Sequence, residues 1–564
     1  MAGSMDGDCI TVKQPSRYLL IIPPLIFMGL FYFYPLASIL SLSFTPQDGT
    51  SFKGLEKLFS SAYYARVLWF TTWQATLSTV LTLVLAMPAA FVFSRYTFKG
   101  KDLVLSLTTI PFVLPTVVTA AAFSALLGRG GLVNTVLMQL FGLEQPIIRL
   151  EHSVWFFLMA HVFYNFTVVL RIVGGFWARL PRQVFDAARM LGANGRVIFF
   201  KVTLPLLAPA ILAASLLVFV FCFTSFGVVL ILGGPRLATV EVEIYRQAVH
   251  LFNLPVAAAL SLVQILFTFG LMTAYTRLER RTSIALLPEA APKSTPLAKR
   301  PKDRLVIYTC LGTMAVFLGA PILALFIRSI LTETGVGLTY YLALFENRAQ
   351  SILYVAPATA ILNSLGFALA ATLIALTLGC LSSAFLAGAK NRPAVLLDPI
   401  LMLPLSTSAV TLGFGFVVAL DEPPLNLRSS WLLPAIAHAL VALPFVIRSV
   451  LPAWRSIPQS LREAATMLGA SPRRAWFAVD WPILSRALMV GAVFAFAISM
   501  GEFGASVFVA RPQTPTLPLA IYRFLSHPGS LNYGQAMAMS CLLMLTTAAG
   551  FGLLEKLKPA SGNF

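Results

Sequence analysis

Residues Asp186–Pro205 read DAARMLGANGRVIFFKVTLP, and residues Glu463–Pro482 read EAATMLGASPRRAWFAVDWP. The two stretches stand 277 positions apart. The same offset pairs His161 with His438, Arg171 with Arg448 and Trp177 with Trp454. Further along it pairs Phe226-Gly227 with Phe503-Gly504, and Ile244-Tyr245-Arg246 with Ile521-Tyr522-Arg523. Rare residue types seldom coincide by chance in a leucine-rich chain, so the chain is a tandem duplication. Each copy carries a polar, basic segment between long apolar ones.

Composition sets the class. Apolar residues make up 58% of the chain and charged residues only 11%, with a mean hydropathy of +0.82. A soluble core does not need so much apolar surface, whereas a lipid-facing bundle does. Backbone groups in hydrocarbon must be satisfied within the segment, so the long apolar runs predict an all-α membrane fold. The net charge of +19 does not point to nucleic acid. The bases cluster in short loops between spans, which is the topology signal of cytoplasmic connections. Cys9, Cys222, Cys310, Cys380 and Cys541 show neither paired nor metal-like spacing, and no metal site is expected.

The apolar runs predict twelve spans. The first six cover about 18–44, 68–93, 103–128, 153–178, 206–233 and 256–276. The second six cover about 305–331, 358–388, 395–420, 430–451, 485–510 and 535–554. The first run is too long for a signal-peptide core and is expected to stay as the first span. One set of connections is rich in Lys and Arg, including Arg95, Lys99, Arg182, Arg196, Lys390, Arg473 and Arg474. The opposite set mixes fewer bases with Asp48, Glu56, Glu144, Glu151, Glu241 and Glu243. Both termini are therefore expected on the cytoplasmic side. The halves, 1–276 and 305–564, are parallel repeats related by an axis along the membrane normal. Residues 277–304, with Pro288, Pro292, Pro296 and Pro301, read as a flexible cytoplasmic linker. Val118-Thr119 match Val410-Thr411 at an offset of 292, so the second repeat has lost part of an outer loop between its third and fourth spans.

The repeated polar segments, 181–205 and 458–482, read as a short helix, a turn and a second stretch that re-enters the membrane. Pro181 and Pro458 mark the entry. Asp186 and Glu463 are read as acids near a helix start, where the helix dipole favours them. The alanines that follow, Ala187 and Ala464 first among them, give a smooth face that another helix can approach. Gly192 and Gly469 sit where the helix must turn, a position that tolerates left-handed dihedrals. Pro205 and Pro482 restart the chain into a span. One such segment could simply anchor an interfacial loop; two in register point to docking elements for two equivalent partners.

The order EAA, three residues, Gly, then nine or so residues to a hydrophobic residue and x-Leu-Pro resembles the cytoplasmic loop of bacterial ABC importer permeases. Asp186 replaces the Glu in the first copy, and Trp481 replaces the Leu in the second. The fused, duplicated arrangement resembles the thiamine and ferric iron permeases. The resemblance implies that Asp186, Ala187, Gly192, Glu463, Ala464 and Gly469 contact ATPase subunits, one at each loop. It further implies a partner solute-binding protein on the outer side and a place in the bacterial inner membrane. The implied solute is thiamine, with ferric iron as the alternative. Neither half contains GxxxxGK[ST], so no cofactor is expected in this chain, and ATP is expected on the partner subunit.

Within the spans, Glu502 in SMGEFGAS is a carboxylate at a costly depth and a functional candidate. Gly501 and Gly504 beside it permit close approach or local unwinding. Its repeat partner is Ser225. His161 and His438 sit mid-span, and Asn165 lies within a turn of His161, where the second repeat has Ala442. Glu502, Ser225, Asn165 and His161 are the candidate solute-path residues, with interhelical packing as the alternative role. Pro111, Pro115 and Pro404 interrupt the third and ninth spans. An ion-coupled secondary transporter would need no paired docking loops, and it usually shows several intramembrane ionisable residues. A membrane enzyme would need paired carboxylates, metal-ligand spacing or a nucleophile motif, which the spans lack.

Overall fold

The computed structural model describes residues 14–44, 53–284, 301–333, 335–346, 355–388, 392–421, 423 and 425–557. In the first repeat, α1 (Gln14–Met28) passes through a π turn (Gly29–Phe33) into α2 (Tyr34–Phe44). Then come α3 (Ala62–Arg95), α4 (Thr116–Leu127), α5 (Val154–Ala178) and the short α6 (Arg182–Met190). α7 (Leu204–Phe223), α8 (Gly227–Leu232), α9 (Val240–Tyr245) and α10 (Leu254–Ile284) complete it. The second repeat holds α11 (Pro301–Ile330), α12 (Pro357–Gly388), α13 (Arg392–Ser406), α14 (Ala409–Ala419) and α15 (Leu432–Arg455). It ends with α16 (Gln459–Met467), α17 (Trp481–Gly501), α18 (Ser506–Val509), α19 (Leu517–Ser526) and α20 (Ser530–Leu557).

Among the described residues, ten helices are long and apolar enough to cross a membrane. The number is eleven if Leu397–Ser406 and Ala409–Ala419, bent by 98°, count as one span. The sequence predicts twelve spans with prolines interrupting the third and ninth, and the chain is broken at both places. Around Pro111 and Pro115 the chain forms two short helices, Lys101–Leu107 and Thr109–Val113, before α4 starts. Pro404 lies just ahead of the sharp bend between α13 and α14. Proline lacks an N–H and clashes with the preceding turn, so a helix breaks there. The expected linker 277–304 is helical at both ends, because α10 runs to Ile284 and α11 starts at Pro301. Residues 285–300 lie outside the described residues.

The helices form two compact units that cut across the sequence halves. One comprises residues 1–42, 353–519 and 545–564; the other comprises 43–352 and 520–544. In the first unit, α1 packs along α12, and Ile21, Met28 and Tyr32 join a core with Phe385, Leu401, Phe416 and Leu440. Tyr32 Oη and Thr407 Oγ1 share a hydrogen bond of 2.7 Å. Ala371 and Ala375 of α12 face Ala439 and Ala442 of α15 in one cluster. Small side chains let membrane helices approach closely, where packing replaces the hydrophobic drive. In the second unit, α3 packs along α5, and α7 lies against both. Here α11, the opening helix of the second repeat, packs on α4 of the first.

Candidate functional site: paired turns and buried polar clusters

α6 and α16 are built alike. Each follows a proline in extended conformation, Pro181 or Pro458. Each ends in a glycine with left-handed φ, +79° at Gly192 and +81° at Gly469. The next amide reaches back across the last turn: Ala193 N donates to Ala188 O, and Ala470 N to Ala465 O, both at 3.0 Å. That pattern satisfies carbonyls that a helix end leaves unpaired. A β-branched residue at either glycine is strained, because its Cβ disfavours this φ. After each turn comes one short helical turn, Gly195–Ile198 or Pro472–Ala475. A π turn follows, Phe199–Thr203 or Trp476–Asp480, and then α7 or α17 with Pro205 or Pro482 as its second residue.

Asp186 and Glu463 are not at the helix starts. α6 begins at Arg182 and α16 at Gln459, with no acid in either first turn. The dipole acts mainly within that turn, so it is not what holds these carboxylates. Asp186 instead forms an exposed pair with Arg189 at 3.0 Å. The sequence reading also passed over the feature that marks the surface. Met190 and Leu191 are each 89% exposed, and Met467 and Leu468 are 89% and 88% exposed. Four large apolar side chains standing free at matched positions imply a surface made to be covered. The signal was present in the repeated Met-Leu-Gly, an apolar pair inside a polar segment.

The turns differ in how they are braced. In the second, Arg462 Nε donates to Asp480 Oδ1 at 2.8 Å, and its Nη2 reaches the same oxygen. The corresponding positions in the first are Phe185 and Thr203. Both line a cavity of about 630 Å³ with Arg95, Trp177 and Phe199.

The buried histidines are fully partnered. His161 is held by Ser78 Oγ at Nδ1 (2.8 Å) and Ser225 Oγ at Nε2 (2.9 Å). Asn165 Nδ2 lies 3.2 Å from Cys222 Sγ in the same cluster. His438 is held by Ser499 at Nδ1 (2.8 Å) and Ser506 at Nε2 (2.9 Å). Ser506 Oγ also donates to Glu502 O at 2.9 Å. A hydroxyl has one proton, so Ser506 accepts from His438, which places the ring proton on Nε2. Glu502 follows the end of α17, and its Oε1 accepts from Ala505 N at 2.9 Å across an unwound segment ahead of α18. Gly504 presses against Ala409 and Val410, at 3.2 Å from an added Cβ. Ser225 stands at the matching break between α7 and α8. The structure thus joins His161, Ser225 and Asn165, while Glu502 belongs to the other compact unit.

Two carboxylates read from sequence as outer-loop charges are buried. Glu241 and Glu243 are 0% and 1% exposed. Glu243 accepts from Tyr63 Oη at 2.8 Å and Gln247 Nε2 at 2.6 Å, and Glu241 accepts from Gln264 Nε2. Burial of a carboxylate is tolerable only with such donors.

A protein-family model described as "Binding-protein-dependent transport system inner membrane component" matches residues 79–284 and 375–560, once in each repeat. The chain belongs to this family. It is a multi-pass inner-membrane permease with two fused halves, a component of a binding-protein-dependent importer and not an enzyme. It is similar to the thiamine transport system permease protein of Brucella abortus (strain 2308), with 28% identity over 485 residues, 85% of each chain. Similarity to the protein so described in Escherichia coli (strain K12) is 27% over 511 residues, 89% of this chain and 90% of that one. A probable ABC transporter permease of Sinorhizobium fredii is 24% identical over 517 residues, 89% of this chain and 88% of that one. A solved bacterial alginate ABC transporter chain matches 48% of this chain and 95% of its own, with a TM-score of 0.40 and 16% identity.

Proposed function

We propose that the permease imports thiamine, driven by two ATPase subunits that dock on α6 and α16. One observation carries the docking: the same Met-Leu pair stands exposed beside the same left-handed glycine in both repeats. Covering each of these side chains contributes about 1.5–3 kcal/mol, enough together to seat a partner. Asp186, Ala187, Gly192, Glu463, Ala464 and Gly469 form the surrounding surface. ATP is bound by the partner, and both chain termini lie on the ATPase side with the basic loops. A solute-binding protein delivers the solute from the other side. Relatives described as thiamine permeases, aligned over most of their length, support the solute. The helix breaks at Ser225 and at Glu502 are each candidate solute contacts, with Asn165 and His161 beside the first, since such breaks free backbone groups to meet a solute.

The test is reconstitution with the ATPase and binding protein in proteoliposomes. Leu191→Ser with Leu468→Ser should abolish co-purification of the ATPase and thiamine uptake while leaving the permease folded. Intact co-purification would sink the docking assignment. Uptake of ferric iron without thiamine would replace the solute.

A further inference from the structure

Tyr245 and Tyr522 occupy the same position in the two repeats, and they meet. Both lie in the second compact unit, and Tyr245 hydrogen-bonds to Tyr522. In a twofold-related pair, a residue touches its own equivalent only at the axis. The two repeats therefore meet at these rings.

Beside the pair lies a cavity of about 550 Å³. Its walls combine both tyrosines with Leu230, Ile231, Val242 and Leu525, and its polar groups are His152, His250, Arg246 and Ser526. Size and mixture suit a small-molecule site. The rings are held in place: Tyr245 stands edge-on to Phe226 (5.5 Å, 71°) and to His250 (5.1 Å, 81°). His152 takes a left-handed φ of +59° and packs against Gly234, where any Cβ would collide with its ring. Non-glycine residues in the left-handed region cluster at binding and active sites. The site lies at the end of α5 opposite α6, since His152 precedes that helix and α6 follows it.

We propose that this cavity is a subsite for a planar heteroaromatic solute, and that the Tyr245–Tyr522 pair is the closed wall of the path beside it. Aromatic faces and a few N–H and O–H groups fit a flat ring with polar edges. The assignment deepens the importer reading and rests on it.

The experiment uses the full complex in proteoliposomes, with the permease freed of its native cysteines. Tyr245→Cys with Tyr522→Cys should cross-link on oxidation, stop thiamine uptake and recover on reduction. Failure to cross-link, or full uptake by the cross-linked protein, overturns the gate. Tyr522→Leu should raise the KM for uptake about tenfold with little change in kcat, whereas Tyr522→Phe keeps the ring and stays within about threefold. An unchanged KM in the Leu variant overturns the subsite. If the wild-type complex takes up no thiamine, the solute reading fails separately. The subsite is then judged by the solute that the binding protein does hold, and an aliphatic solute or metal ion overturns it.

Discussion

The turns after α6 and α16 and the clusters around His161 and His438 occupy matched places in the two repeats, but they have diverged to different degrees. The turns agree in glycine φ, back-bonding, exposed Met-Leu pair and following π turn. The histidines agree only in being buried and doubly partnered. Ser78 and Ser225 serve one, Ser499 and Ser506 the other. A surface that meets a partner must keep its shape, because any change is felt across the contact. A buried polar group needs only to be satisfied, and any hydroxyl within reach does that. The proposed pairing with two like ATPase subunits explains why the turns stayed alike, while the interior of one fused chain was free to become asymmetric.

The comparison is broken most directly at the glycines. Gly192→Val and Gly469→Val should each lower uptake to a similar extent, roughly tenfold, and together roughly a hundredfold, as strain moves the docking turn. Unequal single variants, measured as initial uptake rates at equal complex yield, would end the equivalence of the two turns.

The helix breaks test the interior. Glu502→Gln keeps an oxygen for Ala505 N, so complex yield should hold while uptake falls about tenfold through loss of the charge. Normal uptake would remove that charge from the path. In the first repeat, Ser225→Glu should not rescue it, because the surroundings differ.

The bracing pair is the next smaller effect. Arg462→Ala leaves Asp480, only 3% exposed, without its cation. It should lower stability by about 1–3 kcal/mol, read as a drop in Tm of the purified permease. Placing the pair in the first repeat by Phe185→Arg with Thr203→Asp should leave uptake within about twofold, since the adjoining cavity offers room. A larger loss would mean that the difference in bracing matters for coupling.

The smallest effects belong to the histidine clusters. Ser225→Ala should cost about 0.5–1.5 kcal/mol. Ser506→Ala should cost about the same, because each hydroxyl has two partners, His438 and Glu502 O for Ser506 and His161 and Tyr164 for Ser225. Thermal unfolding of both variants checks this, and clearly unequal values would mean that the two clusters are not held alike.

The sequence by itself determined the class, the duplication, the proline breaks and the two glycine turns. Each of these rests on local chemistry: apolar length, a residue without an N–H, a φ that only glycine adopts freely. It paired Tyr245 with Tyr522 by register but held no sign that they touch. It placed Glu241 and Glu243 in an outer loop by counting charge, although Tyr63, Gln247 and Gln264 supply the donors that make burial possible. Gln247 is one turn from Glu243, but Tyr63 lies 180 residues away and Gln264 23 residues from Glu241, beyond any local pattern. The crossing of α1 and α11 into the compact unit of the opposite repeat was likewise decided by tertiary structure. An apolar helix records that it must be covered by protein or lipid, and packing alone selects which neighbour covers it.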